Sequence, residues 1–277
     1  MATLTFDVDA ETPILAQGRR FADQPMVMSH QSYGPDVGVP RILDLLDEMR
    51  VPATFFVPGW VAEQRPGLAR SIVDRGHEVA HHSYSHRPPT SMSTGEERVD
   101  FERALDVFAA QNVDIAGHRA AMWSATRDTV GLIAEHGLVY DSSLMGDDRP
   151  YLVDTEHGSV MELPVHWSLD DWEQYAFLPE PNIGSVIESP VEVEQLWRAE
   201  LDGMRRYGCL FNLCMHPFLT GRPGRMIALR NLIAYAQECA DVYFARCRDV
   251  AEWARDDPET PRRPLPDYDV DPAVYPD

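Results

Sequence analysis

Short apolar runs alternate with amphipathic stretches along almost the whole chain. Leu4-Thr5-Phe6 alternates and runs into Asp7-Val8-Asp9, which predicts a short strand ending at carboxylates. Residues 12–37 show no clear period and read as a long loop. After Pro40 the spacing of Ile42, Leu43, Leu45, Leu46 and Met49 predicts a helix, and Val51 to Val57 a strand closed by Pro58-Gly59. A helix carrying Leu68, Ile72 and Val73 stops at Gly76, and Glu78-Val79-Ala80 forms a brief strand before a His-rich loop. Helices are expected over Glu96 to Ala110 and, N-capped by Ser124, up to Gly137. Strands at Val139-Tyr140 and Val160 to Val165 follow, then a helix over Val193 to Tyr207 and the apolar run Cys209 to Met215. A helix over Met226 to Cys239, a strand over Val242 to Ala245 and a short helix to Ala254 complete the pattern. Residues 1–256 thus read as one domain, and the Pro- and Asp-rich residues 257–277 as a tail or arm.

Strands alternating with helices predict parallel βα units and an α/β fold. A barrel and an open doubly wound sheet both fit the length. Polar residues follow successive strands, at Asp7 and Asp9, His82 and His86, Arg119, then His216. Ligand groups donated by many strand ends favour the mouth of a barrel, whereas an open sheet gathers them at one switch point. No GxGxxG fingerprint is present.

Composition removes several function classes. The 277 residues include 24 Lys plus Arg against 45 Asp plus Glu, a net charge of −21. Such a chain is a poor partner for nucleic acid or anionic lipid, both of which need a basic surface. No lysine occurs, so a Schiff-base lysine and a P-loop are excluded; genomic bias and a salt-tolerant acidic surface both account for this. No apolar run approaches a membrane span, and the first residues lack the basic start and apolar stretch of a signal peptide, so a cytoplasmic location is expected. Cys209, Cys214, Cys239 and Cys247 show no CxxC spacing and read as free core thiols.

Four clusters carry chemistry. In His82-Ser83-Tyr84-Ser85-His86 two imidazoles four apart can face one ion, although His77 and His81 share that spacing and His77, beside a helix-ending Gly, reads as structural. In Asp7-Val8-Asp9, alternation sends both carboxylates to one side, which repels unless a cation or an arginine intervenes. One Asp with two His is a workable ligand set for Zn²⁺ or another divalent ion. Arg119, in Gly117 to Ser124, can hold a neighbouring Asp ionised, and His216 follows an apolar strand, where a packed interior His is the alternative.

Together these segments resemble the polysaccharide deacetylase family, the NodB-homology or carbohydrate esterase family 4 group, over about residues 3–255. The resemblance implies a distorted (β/α)7-type barrel that hydrolyses amide bonds with one divalent ion, zinc by preference. It implies Asp7 as base, Asp9, His82 and His86 as metal ligands, and His216 as general acid. Arg119 would hold Asp7, and Asp171 (or Asp170), in Trp167 to Trp172, would orient Arg119. Trp123 and Tyr84 would meet the substrate. Ala121 stands where the family usually has Pro. The insert at residues 10–37 and the leaderless start are closer to the intracellular branch, with its cytoplasmic peptidoglycan-deacetylase-like proteins and cyclic imide hydrolases. A small cyclic amide or imide and an N-acetylated sugar are thus the expected substrates. A homo-oligomer, a tetramer being one form, is implied; Trp197 and the Pro-rich tail are candidate interface material, although a Trp on a helix is more often partly buried in its own domain. A catalytically silent metal-binding scaffold is the alternative function.

Overall fold

Every residue of β1 (Ala2–Asp7) is buried, as expected for a parallel strand covered on both faces. The computed structural model describes residues 1–271 and 273–275. Ten strands are named here among them: β2 (Thr54–Val57), β3 (Glu78–His81), β4 (Gly117–His118), β5 (Tyr140–Asp141), β6 (Tyr151–Thr155), β7 (Gly158–Glu162), β8 (Phe177–Pro179), β9 (Asn182–Ser185) and β10 (Phe211–Met215) follow β1. The main sheet has the order β10-β1-β2-β3-β4-β5-β7-β6. All neighbours in it pair in parallel except β6, which is antiparallel to β7. Seven parallel strands thus build the (β/α)7-type barrel. β8 and β9 form a separate hairpin.

Helices supply the crossovers: α1 (Thr12–Gln17), α2 (Pro25–Tyr33), α3 (Val39–Met49), α4 (Gly59–Gln64), α5 (Leu68–Asp74), α6 (Thr94–Ala110), α7 (Arg127–Glu135), α8 (Trp172–Tyr175), α9 (Pro190–Tyr207), α10 (Pro217–Thr220), α11 (Pro223–Glu238) and α12 (Cys247–Asp256). Amphipathic α3 buries Ile42, Leu43, Leu45 and Leu46 against the sheet, in one core with Leu4, Phe6 and Phe55. Arg50 ends it in the left-handed region.

Residues 12–37 are not a loop. They fold as α1, a 3₁₀ turn (Arg19–Asp23), α2 and a π-helical turn (Gly34–Gly38) that leads into α3. Pro13 and Pro25 sit in the first turns of α1 and α2, where a missing N–H is harmless. Each piece is too short for a period to show: α1 buries Ile14 with its first two residues, the 3₁₀ turn Phe21, and α2 Val27 and Gln31. Gly38 is required by close approach, since a Cβ there would lie 2.2 Å from the Pro217 carbonyl oxygen.

Smaller differences also have causes. Thr126, not Ser124, caps α7 in a reciprocal capping box with Thr129. Val242 to Ala245 makes only one bridge, from Phe244 to Ala2. Trp197 is not surface material: its ring is buried against Tyr175, and its indole donates to the Ser168 carbonyl. The segment after α12 runs beside β6. Leu152 donates to the Pro261 carbonyl at 2.8 Å and accepts from the Arg263 amide at 2.9 Å.

Candidate active site

The carboxyl ends of β1, β3, β4, β5 and β10 converge at one mouth. Asp7 ends β1, and Ala10, at φ 52°, turns the chain so that Asp9 stays beside it. After β3, Ser83 and His86 adopt φ of 59° and 57°, conformations that cost a non-glycine residue about 1–3 kcal/mol. That coiling returns His86 to the side of His82. Tyr84, between them, points out of the mouth. Its hydroxyl donates to Glu63 at 2.6 Å and Arg103 lies over its ring, so it is not a wall of the site.

The imidazole edges face one carboxylate. His82 Nε2 lies 3.2 Å from Asp9 Oδ1, and His86 Nε2 lies 3.3 Å from Asp9 Oδ2. All three side chains are buried. The Nδ1–H of His82 donates to the Arg119 carbonyl at 2.7 Å, which leaves the Nε2 lone pair aimed at Asp9. Asp9 Oδ1 is buried without a hydrogen-bond partner. An orphaned carboxylate oxygen facing two imidazole nitrogens, with all donors within 4.8 Å of one another, fits a divalent cation. Burial opposes the Asp9 charge, but His86 and His82 hold its pKa well below the usual range. Burial likewise opposes a charge on His82, and Asp7 and Asp9 nevertheless raise its pKa.

Arg119 reaches Asp7 from β4, Nη1 to Oδ1 at 2.7 Å, and is fully buried. Asp171 does not orient it. Ser142 does, accepting Nε at its carbonyl (3.1 Å) and Nη2 at its hydroxyl (2.9 Å), with Thr5 accepting Nη1 and the Phe56 ring beneath. Asn212 donates to the same Ser142 hydroxyl. Burial works against the Arg119 charge, but Asp7 and the other groups around it raise its pKa.

Asp171 belongs to His216. Asp170 bridges to Cys214 as a short parallel contact, which sets Asp171 beside the end of β10. Its Oδ1 accepts from His216 Nδ1 at 2.7 Å and from the His216 amide at 2.9 Å, and Thr220 donates to Oδ2. His216 Nε2 then lies 3.6 Å from Asp9 Oδ2. Burial disfavours a charged His216, but Asp171, Asp170 and Asp9 outweigh it and raise its pKa to about 10. Asp170 is pushed up to about 7 by burial, with His216 opposing and Asp171 adding.

Trp123, Trp167 and Trp172 wall the opening. Trp123 and Trp167 pack with ring centres 4.6 Å apart and planes tilted by 34°, and Trp172 meets His216 edge-on at 5.0 Å. Free space above the carboxylates is about 30 Å³, enough for one or two waters. It adjoins a cavity of about 470 Å³ that shares His86, Met122 and Trp172 and is bounded by α1 and β9. Sequence reasoning missed Ser142, Thr5 and Asn212. Ser142 follows β5 and was available from the same strand-end rule that picked out Arg119.

Barrel and mouth together define a hydrolase of amide type. The chain belongs to the polysaccharide deacetylase family and acts on carbon–nitrogen bonds other than peptide bonds. The family profile, described as polysaccharide deacetylase, matches residues 22–140. A polysaccharide deacetylase crystal structure from Mycobacterium smegmatis is 46% identical, with a TM-score of 0.93 over 97% of this chain and 94% of that one. The peptidoglycan deacetylase of Helicobacter pylori is 26% identical over 257 residues, 83% of this chain and 88% of that protein. An allantoinase structure, 22% identical with a TM-score of 0.78 over 94% of this chain and 91% of that one, shares the fold. No helix among the described residues is long and apolar enough to cross a membrane.

Proposed function

We propose that the chain is a metal-dependent hydrolase of a small amide, with one divalent cation held by Asp9, His82 and His86. The observation that carries this reading is the buried, unpartnered Asp9 Oδ1 facing two imidazole edges. Two nitrogens and one carboxylate suit zinc, and such an ion polarises a carbonyl and makes water acidic near neutral pH.

The residues divide the proton work. Asp7, its Oδ1 engaged by Arg119 and its Oδ2 met by the weak thiol donor of Cys214 at 3.5 Å, offers Oδ2 to the proton of the attacking water. Arg119 fixes Asp7 through the Nη1–Oδ1 contact, and Ser142 and Thr5 hold the guanidinium in place. Asp171 fixes the His216 ring and favours its charged form, so His216 Nε2 donates to the departing nitrogen. Trp123 and Trp167 exclude water above the reacting carbonyl.

The small free space and the enclosing α1 and β9 favour a compact cyclic amide or imide over a polymer. The indoles of Trp123 and Trp167 at the mouth, Trp167 half exposed, favour a second reading, an N-acetylated sugar, whose ring would lie on such a face. The test is one screen: metal content of the purified chain, then hydrolysis of five- and six-membered cyclic imides and N-acetylglucosamine oligomers. One divalent ion per chain and turnover of a cyclic imide are expected. Turnover of the oligomers alone selects the sugar reading, and a chain equally active after chelation overturns the metal.

A further inference from the structure

A second cavity, of about 630 Å³, lies under α10 and the first turn of α11. Phe218 borders it, and the same ring lies 6.2 Å from His216 and 5.7 Å from Trp172. His30, Arg222 and Arg225 line it, and no carboxylate residue does. In a chain of charge −21 this is a local inversion of sign. Neither guanidinium has a carboxylate partner among the described residues. Arg222 lies over the Tyr33 ring and donates to the Phe218 carbonyl, and Arg225 lies over the Tyr175 ring and donates to the Leu219 carbonyl. Nearby acids are engaged elsewhere: Asp171 by His216 and Thr220, Glu194 by Arg198 and Asn231.

Two further features point the same way. The first turn of the 16-residue α11 holds no acidic residue and no side-chain cap, so its amino end and partial positive charge face the cavity at Gly224. Tyr175, which forms part of the wall and is 2% exposed, has a buried hydroxyl with no hydrogen-bond partner. The proximity of these cations is also felt within the cluster: burial, with Arg222 and Arg225, lowers the pKa of His30.

We propose that this cavity binds a small organic anion, its carboxylate or phosphate head between Arg222, Arg225 and the amino end of α11 and its apolar body against Leu178 and Ile187. Inorganic phosphate would fill only the head position. The remaining volume and the walls from β8 call for a ring or short chain.

The test is calorimetric titration of the full-length, metal-loaded chain with phenyl phosphate and with benzoate, phenol serving as the uncharged control. One saturable site for an anion and none for phenol is expected. The two anions show which head group is preferred. Binding should weaken at least tenfold in the Arg222→Gln/Arg225→Gln double variant and several-fold in Tyr175→Phe. It should persist in His86→Ala, which separates this cavity from the metal site. Binding lost in His86→Ala, binding unchanged in the double variant, or no saturable heat overturns the proposal. If the double variant does not fold, NMR titration of His30 in the unaltered chain decides. A His30 pKa raised by phenyl phosphate supports the site, and an unmoved one removes it.

Discussion

Two pairs of histidines in this chain share the same four-residue spacing and do opposite things. His77 and His81 are packing rings. His77 lies edge-on to Phe55 with neither nitrogen hydrogen-bonded, and His81 has both nitrogens engaged, by the Phe101 carbonyl and the Ser83 amide. His82 and His86 each keep an Nε2 turned to Asp9. Spacing is therefore a weak criterion. What separates the pairs is whether both rings turn a nitrogen to the same buried carboxylate, as His82 and His86 do to Asp9, whereas His77 has only the half-exposed Asp47 at 4.0 Å and His81 none among the described residues. The β3 backbone decides this, because alternation turns His81 into the sheet and the left-handed turns at Ser83 and His86 swing the next pair into the mouth.

The comparison is sharpest in metal content. His82→Ala should abolish stoichiometric metal and reduce hydrolysis below detection, whereas His77→Leu should leave both intact. Atomic absorption on the two purified variants decides, and equal metal in both would erase the distinction. Next in size is Asp7→Asn, expected to keep the metal and lose roughly 10²–10⁴ in kcat. Metal loss in that variant would make Asp7 a ligand. Asp171→Asn should act through His216. Removing the neighbouring charge that favours the imidazolium lowers the His216 pKa, so the alkaline limb of the pH–rate profile moves to lower pH while the metal stays. An unmoved limb would detach Asp171 from the proton path.

The smallest effect concerns stability. Burial lowers the pKa of His77 to about 4, with Asp47 opposing. The unfolded chain takes up that proton near pH 6.5, so the contribution of neutral His77 is full above about 6.5 and is lost as pH falls towards 4. Urea melts across that window should lose on the order of 1 kcal/mol to this group, after solvent screening. The same melts on His77→Leu should show a correspondingly shallower slope. Identical slopes would mean that His77 is protonated in the fold.

Much of the mouth was legible because strand ends announce themselves. A short apolar run followed by Asp, His or Arg marks a residue at the sheet's carboxyl edge, and Asp7, Asp9, His82, Arg119 and His216 all lie there. Some pairings across the mouth, Arg119 with Asp7 and Asp9 with His82 and His86, were expected and are found, but one was not legible. Asp171 was assigned to Arg119, yet it meets His216, because the loop after β7 crosses to β10 and bridges at Cys214. Sequence order carries no information about that crossing. The helices within residues 12–37 were hidden for another reason. Segments of five to nine residues bury only one to three side chains each, too few for a period. Tyr84 was expected to meet the substrate, and the turn at Ser83 sends it outward, to Glu63.

The pairing of Pro261 and Arg263 with Leu152 bears on how the chain can be trimmed. β6 is the outer, antiparallel strand, and its free edge would be a template for another chain. Residues 261–263 cover that edge, and Arg262 and Arg263 are fastened to Asp154 and Asp147. Ending the chain at 256 would remove no group of the mouth, yet it would bare the β6 backbone to edge-to-edge association. Shortened forms made for crystallisation should therefore keep the chain through Arg263.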